Sequence, residues 1–251
     1  MEIEVCLMNM KNASYFQLPE LTIRSVCSEK KNFVPLLQNS CLLVIGGRAP
    51  KTAWLQETAK GHELWAVDHG LDACLAANIR PARLIGDGDS AQPAAWQWAE
   101  KQHIPIEKFP VEKDDTDTQL ALKLAQNAGF PAALVTGAFG GRFDHALSTV
   151  MSCAFAPLPC LLADEHETML FIHAGETIEI SVKQTPKAIS LLPMTSRCGG
   201  VNLTGTHWPL SDATLTQQSM RAVSNVLEPG HDALTISLTE GLLGLYFVWH
   251  E

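Results

Sequence analysis

No apolar stretch of the 251-residue chain approaches the ~20 residues needed to cross a bilayer. The longest runs, such as "GLLGLYFVW", stop well short, so no membrane partner is expected. A basic excess is also missing: 18 Lys and Arg against 27 Asp and Glu give a formal net charge of −9. Nucleic-acid binders usually carry a basic stripe, so none is expected here. A nucleotide substrate stays open, because a metal ion can bridge an acidic site to phosphates. The seven cysteines (Cys6, Cys27, Cys41, Cys74, Cys153, Cys160 and Cys198) are odd in number, irregularly spaced and free of any CxxC pair. That argues against a disulfide framework or a zinc site and for reduced thiols in a cytoplasmic protein. The opening "MEIEVCLMNMKNAS" has acidic residues and no apolar h-region, so no signal peptide is expected. Neither GxxxxGK[ST] nor GxGxxG occurs, which removes the ordinary P-loop and dinucleotide fingerprints.

What is present is ordinary globular composition, 46% hydrophobic and 18% charged, in a chain long enough for one large domain or two small ones. Residues 1–39 read as an N-terminal extension in which "IEVCLM" and "PELTIRSV" are short candidate strands. From about 40, strands alternate with helices. "SCLLVIGG", "ELWAVDHG", "PARLIGDGDS", "IPIEKFP", "AALVTGAFGG" and "LPCLLADE" read as strands. "KTAWLQETAKG", "LDACLAAN", "QPAAWQWAEKQ", "DTDTQLALKLAQNAG" and "RFDHALSTVMSCAF" read as helices. This order predicts an α/β fold: a Rossmann-like domain with a parallel sheet over 40–165. After about 165 short runs such as "ETIEISV", "GVNLTG", "DALTISL" and "LLGLYFVWH" predict a C-terminal β-sandwich domain over 166–251, with one possible helix around "TLTQQSMRAVSN".

In an open parallel sheet, ligands sit outside the C-terminal strand ends. Four successive strand exits here carry carboxylates: Asp68 with His69 and Gly70; Asp87, Gly88, Asp89 and Ser90; "EKDDTD" with Asp114, Asp115, Thr116 and Asp117; and "TGAFGGRFDH" with Arg142, Asp144 and His145. Crowded carboxylates repel and raise each other's pKa unless a cation lies among them. Mg²⁺, which prefers oxygen ligands, would offset that repulsion and share substrate phosphates. The glycine-rich "GAFGGR" offers backbone N–H groups to an anion, and Arg142 a forked donor. Taken singly, a DxD or a "DDTD" is more often a turn or a helix cap. The convergence on one rim is what points to metal-assisted phosphoryl transfer. On the residues alone His69 and His145 read as structural or supporting groups, and Trp208 as a core or turn residue.

"AVDHGLDACL", "IRPARLIGDGDS", "EKDDTDTQLAL", "GAFGGRFDHAL" and "GVNLTGTHWPLSDATL" followed by "AVSN" resemble the motif series of the thiamin pyrophosphokinase family over roughly 42–248. The resemblance implies an α/β domain followed by a β-sandwich, a homodimer with sites at the subunit interface, and transfer of diphosphate from ATP to thiamin. It implies Asp87, Asp89 and Asp117 as Mg²⁺ ligands. Asp68, Asp114, Thr116, Arg142 and Asp144 would line the nucleotide and phosphate region. Trp208 would stack on thiamin, with Ser224 and Asn225 contacting it. Two positions depart from the family pattern: His69 replaces the middle Gly of DGG, and Gly88 replaces a bulky residue. A same-fold diphosphokinase acting on another hydroxyalkyl heterocycle, such as a pterin, and a non-catalytic thiamin or nucleotide sensor are the competing readings.

Overall fold

The computed structural model describes residues 15–27, 34–86, 91–109 and 114–250. "IEVCLM", Asp87, Gly88, Asp89 and Ser90 lie outside them. The described residues begin with β1 (Tyr15–Gln17), β2 (Leu21–Cys27) and a single helical turn, α1 (Val34–Leu37). The alternating part follows: β3 (Cys41–Val44), α2 (Thr52–Thr58), β4 (Glu63–Val67), α3 (Gly70–Ala76), β5 (Arg83–Ile85), α4 (Pro93–Lys101), β6 (Ile106–Glu107), α5 (Asp117–Asn127), β7 (Ala133–Thr136), α6 (Phe143–Ala154) and β8 (Cys160–Ala163). The remainder is strand: β9 (Glu167–His173), β10 (Thr177–Val182), β11 (Ala188–Pro193), β12 (Arg197–Thr204), β13 (Leu210–Thr216), β14 (Ala233–Ser237) and β15 (Leu242–Val248).

The contacts divide the chain into two compact units, one of residues 36–171 with 246–251, the other of residues 1–35 with 172–245. The protein is therefore α/β, with a mixed and an antiparallel sheet. In the first unit the strands lie in the order β9-β8-β7-β3-β4-β5-β6. All pairs from β8 to β6 are parallel, and β9 runs antiparallel to β8. The central strands explain themselves. Every residue of β3 (CLLV), β7 (ALVT) and β8 (CLLA) is buried, as expected of strands covered on both faces. Each fully buried Leu or Val contributes roughly 1.5–3 kcal/mol of burial.

Helix ends fall where local chemistry puts them. Pro93 opens α4 at its first turn, where a missing N–H costs nothing. Thr116 caps α5 through a capping box: Thr116 N–H donates to Gln119 Oε1 (2.9 Å) and Gln119 N–H to Thr116 Oγ1 (3.3 Å).

In the second unit an antiparallel sheet runs β1-β2-β10-β14-β12-β13. β2 pairs with β10 from Val182↔Leu21 to Thr177↔Cys27, so residues 15–27 form part of this sheet. The helix expected around "TLTQQSMRAVSN" is absent. Its first residues finish β13, which pairs with β12, and the rest forms turns. The alternation of small polar and apolar residues along β13 suits a half-buried strand, and the tertiary partner overrides the weak helical pattern.

Candidate active site

The parallel strands of the first unit deliver their loops to one rim, which walls an open cleft of about 720 Å³. β3 contributes Ile45, Gly46 and Gly47; β4 contributes Asp68 and His69. The start of α5 contributes Asp115, Thr116, Asp117 and Thr118, and the β7 exit contributes Gly137, Ala138, Gly140, Gly141 and Arg142, then Asp144 and His145. Two loops are sewn together by backbone: Gly47 N–H donates to Gly137 O (2.8 Å) and Arg48 N–H to Phe139 O (2.7 Å). Gly137 has φ 76°, and a Cβ there would sit 2.1 Å from Ile45 O, so no other residue fits.

Asp68 is held in a left-handed conformation (φ 48°), uncommon for a non-glycine residue, with its N–H donating to Ile85 O (2.9 Å). Its carboxylate overlies Gly86: a Cβ on Gly86 would lie 2.1 Å from Asp68 Oδ1. That glycine leaves room for the carboxylate immediately before Asp87. Asp117 occupies the first turn of α5 and faces the cleft, where an N-terminal carboxylate is favoured by the helix dipole. Thr116 lines the cleft while its hydroxyl serves the capping box. Asp114 is exposed and is not part of the cleft lining; its neighbour Asp115 pairs with Lys123 (2.7 Å).

Arg142 stands exposed (74%) and makes a forked contact with Asp144, Nε–Oδ1 3.1 Å and Nη2–Oδ2 2.6 Å. The guanidinium holds the Asp144 carboxyl below its usual range, and Asp144 raises the Arg142 pKa in return. Asp144 thus fixes the orientation of the Arg142 guanidinium. His145 lines the cleft beside it.

Behind the rim lies a network that sequence reasoning missed. Arg48 bonds Asp164 through Nε (3.1 Å) and Nη2 (2.7 Å), and Nη2 also reaches Glu167, which accepts from Tyr246 Oη. Burial disfavours the Arg48 charge, but hydrogen bonds to Asp164 and Glu167 more than offset it and raise its pKa. Burial raises the Asp164 pKa against the opposing pull of Arg48. Tyr246 is pushed up by burial and by the Glu167 carboxylate. Adjacent glycines in "VIGGR" and the acids of "LLADE" were the available signal, but only a fold joins positions 48 and 164.

The metal question turns on residues that lie partly outside the described ones. Among the described residues no three His, Cys, Asp or Glu side chains gather closely enough to hold an ion. Two of the three expected ligands, Asp87 and Asp89, are outside that set. What is described fits a hard cation: Asp68 and Asp117 present carboxylate oxygens to one cleft, beside donors suited to phosphate.

In the second unit Trp208 is 59% exposed, with its ring edge-on to His207 (centroids 4.6 Å apart). Asn225, buried, clamps the Trp208 backbone: Trp208 N–H donates to Asn225 Oδ1 (3.1 Å), and Asn225 Nδ2 donates to Trp208 O (2.8 Å). Asn225 Oδ1 also accepts from Val226 N–H (2.9 Å). Its backbone bridges Ile189 in both directions. Ser224 is exposed, has φ 58°, and its N–H donates to Ser190 Oγ (3.0 Å).

Two domain models match the chain, "Thiamin pyrophosphokinase, catalytic domain" over residues 55–157 and "Thiamin pyrophosphokinase, vitamin B1 binding domain" over residues 176–243. A Bacillus subtilis protein named thiamine pyrophosphokinase is 30% identical over 186 residues, covering 72% of this chain and 86% of that one. The chain belongs to the thiamin pyrophosphokinase family. Solved structures agree. The thiamin pyrophosphokinase structure from Geobacillus thermodenitrificans matches with TM-score 0.71 at 25% identity, covering 84% of this chain and 98% of that one. The one from Candida albicans, at 15% identity, shares the fold with TM-score 0.69 over 86% of this chain and 91% of that one. The catalytic-domain match spans the cleft residues from Asp68 to Asp144, and the B1-binding match spans Trp208, Ser224 and Asn225.

Proposed function

We infer that the chain is a thiamin diphosphokinase, moving the terminal diphosphate of ATP onto the hydroxyethyl oxygen of thiamin and releasing AMP. The observation that carries this is one cleft lined by Asp68, Asp117 and Arg142 from three loops of a single sheet rim, within the span matched by the family's catalytic domain. Asp117, with Asp87 and Asp89, would hold Mg²⁺, which when bound neutralises polyphosphate charge. Arg142, steadied by Asp144, and the glycine loop after β7 grip the phosphates. Asp68 and Thr116 complete the nucleotide side, while Asp114, expected there, stands outside the cleft lining. The thiamin hydroxyl oxygen attacks the β-phosphorus in line; that O–P bond forms as the bond from the β-phosphorus to the AMP oxygen breaks. The hydroxyl proton passes to a rim carboxylate or water.

Trp208 offers its face to the thiazolium cation, worth about 0.5–2 kcal/mol, and more when dry. Ser224 contacts the pyrimidine end. Asn225 supports thiamin through Trp208, because its amide is engaged with that residue's backbone. The arrangement is a Rossmann-like domain followed by a β-sandwich, in a cytoplasmic homodimer with sites at the subunit interface. The exposed apolar residues of α6 and its C-cap, Phe143, Leu147, Met151 and Phe155 at steps of four, support an assembly that covers them. The test is product analysis with Mg-ATP and thiamin or a hydroxymethylpterin. AMP and thiamin diphosphate are expected. AMP release with the pterin alone, or ADP with thiamin monophosphate, would overturn the assignment.

A further inference from the structure

In the loop after β7, Gly137, Gly140 and Gly141 all hold positive φ (76°, 73° and 67°). Glycine adopts that conformation without strain but gives up the most backbone freedom on being fixed. Such a loop samples other shapes unless its neighbours restrain it, and a ligand binding to it would then bear the cost of ordering. The restraint comes from the residues just beyond β3. The pairing of β3 with β7 reaches Ile45 N–H to Thr136 O (2.9 Å), and the Gly47 and Arg48 bonds to Gly137 and Phe139 carry it past both strand ends. The approach is close: a Cβ on Gly47 would lie 2.2 Å from Gly137 O, and one on Gly140 2.9 Å from Arg48 Cβ. Gly140 therefore rests on the stem of the Arg48 side chain.

On its far side the β3 exit is anchored to the turn between β8 and β9. Both Arg48 bonds to Asp164 end on Oδ2, and the other oxygen of that fully buried carboxylate, Oδ1, accepts the N–H groups of His166 and Glu167 (2.8 Å each). Lys51 N–H adds a bond to Glu165 Oε2 (3.0 Å). Tyr246 closes the circuit: its hydroxyl donates to Glu167, and its ring meets Phe139 edge-on with centroids 6.0 Å apart. Bonds between charged groups are roughly twice as strong as neutral ones, so this is a firm anchor. Gly47 lines the cleft and Arg48 does not. The Arg48 guanidinium is committed to protein carboxylates, so it can act on phosphate only through the loop it holds.

We propose that Arg48 is a positioning residue for diphosphate transfer: by tying the β3 exit to the buried acid of the β8–β9 turn, it holds the backbone of residues 137–141 in the shape that receives the nucleotide's phosphates. This rests on the cleft being the phosphate site. The amides of Gly47 and residue 48 report the tether directly, because they donate the two bonds to the glycine loop. Ile45, one step back on the same ladder, is the internal control.

The experiment combines amide hydrogen exchange, calorimetry of the magnesium form of a non-hydrolysable ATP analogue, and steady-state kinetics. Proteins are wild type, Arg48→Met, the double variant Arg48→Met with Asp164→Asn, and Arg142→Ala. The double variant removes the tether without stranding a buried carboxylate, so it keeps the test open if Arg48→Met folds poorly. In both Arg48 variants exchange at Gly47 and residue 48 should quicken about tenfold while Ile45 is unchanged. Analogue affinity should fall about fivefold and kcat/KM for MgATP about tenfold, with the KM for thiamin within about twofold. A merely structural role predicts instead that the double variant, once its stability is regained, binds the analogue as the wild type does. Wild-type exchange at Gly47 and residue 48 in the double variant overturns the proposal, as does acceleration shared equally by Ile45. Undiminished analogue affinity in the double variant overturns it too, provided Arg142→Ala weakens the analogue. If Arg142→Ala leaves that affinity unchanged, the phosphate reading of the cleft is what falls, and the exchange rates alone decide whether Arg48 holds the loop.

Discussion

The two units prepare for ligand in opposite ways. On the rim of the mixed sheet, charged side chains come from three loops among the described residues, and their placement depends on strand ends and tight backbone contacts. In the antiparallel unit one exposed indole is presented by a buried neutral amide. The first arrangement is electrostatic and is completed by what binds. The second is preset by hydrogen bonds already made between Asn225 and Trp208. Damage to the first should therefore appear in turnover, and damage to the second in the affinity for one substrate.

The largest effects should come from the carboxylates. Asp89→Asn and Asp117→Asn should each lower kcat at least a hundredfold, with thiamin binding retained, as read by steady-state AMP release and thiamin titration. Unchanged AMP production would erase the contrast between the units. Next is Arg48→Met. It strands the buried carboxylate of Asp164, and breaking such a pair costs about 3–5 kcal/mol, read as a lower denaturation midpoint in urea. Replacing Asp164 by Asn together with Arg48→Met should recover part of the loss.

Trp208→Ala should raise the KM for thiamin about tenfold and leave that for ATP within twofold. Asn225→Ala should do the same by releasing the Trp208 backbone, with a stability loss of about 1–3 kcal/mol for the unpaired groups. Equal effects on both substrates would sink the division of labour. The smallest effect lies away from both sites. Burial pushes the Glu176 carboxyl up to about 6, against the hydrogen bond from His173 N–H. A carboxyl raised on folding stabilises most when protonated, so its contribution is lost as pH rises from about 4.5 through 6. Glu176→Gln keeps an acceptor and should raise stability at pH 7 by about 1 kcal/mol, with little change at pH 4.

The contrast also explains what could be read in advance. Strand–helix alternation and the Pro93 and Thr116 helix starts depend on neighbours in sequence, so local pattern carried them. The helix expected near 214–225 failed because pairing of its first residues with β12, and bonds of Ala222 and Asn225 to β11, decide that segment's conformation. The Arg48–Asp164 pair and the clamp of Asn225 on the Trp208 backbone were invisible for the same reason, although the resemblance had named Asn225 itself. Asn225 and Trp208 are 17 positions apart, and Arg48 and Asp164 are 116 apart. A polar residue's spacing says nothing about a partner that only folding supplies. Trp208 itself was reached through family resemblance, since "HWPL" has no physical signature of its own.

The central claim is that rim carboxylates and a divalent cation together hold the nucleotide. Calorimetry of the non-hydrolysable ATP analogue, with and without Mg²⁺, on wild type and Asp117→Asn tests it directly. Tight binding that requires Mg²⁺ and falls at least tenfold in Asp117→Asn is the predicted result. Equal affinity without the ion, or in the variant, would contradict it.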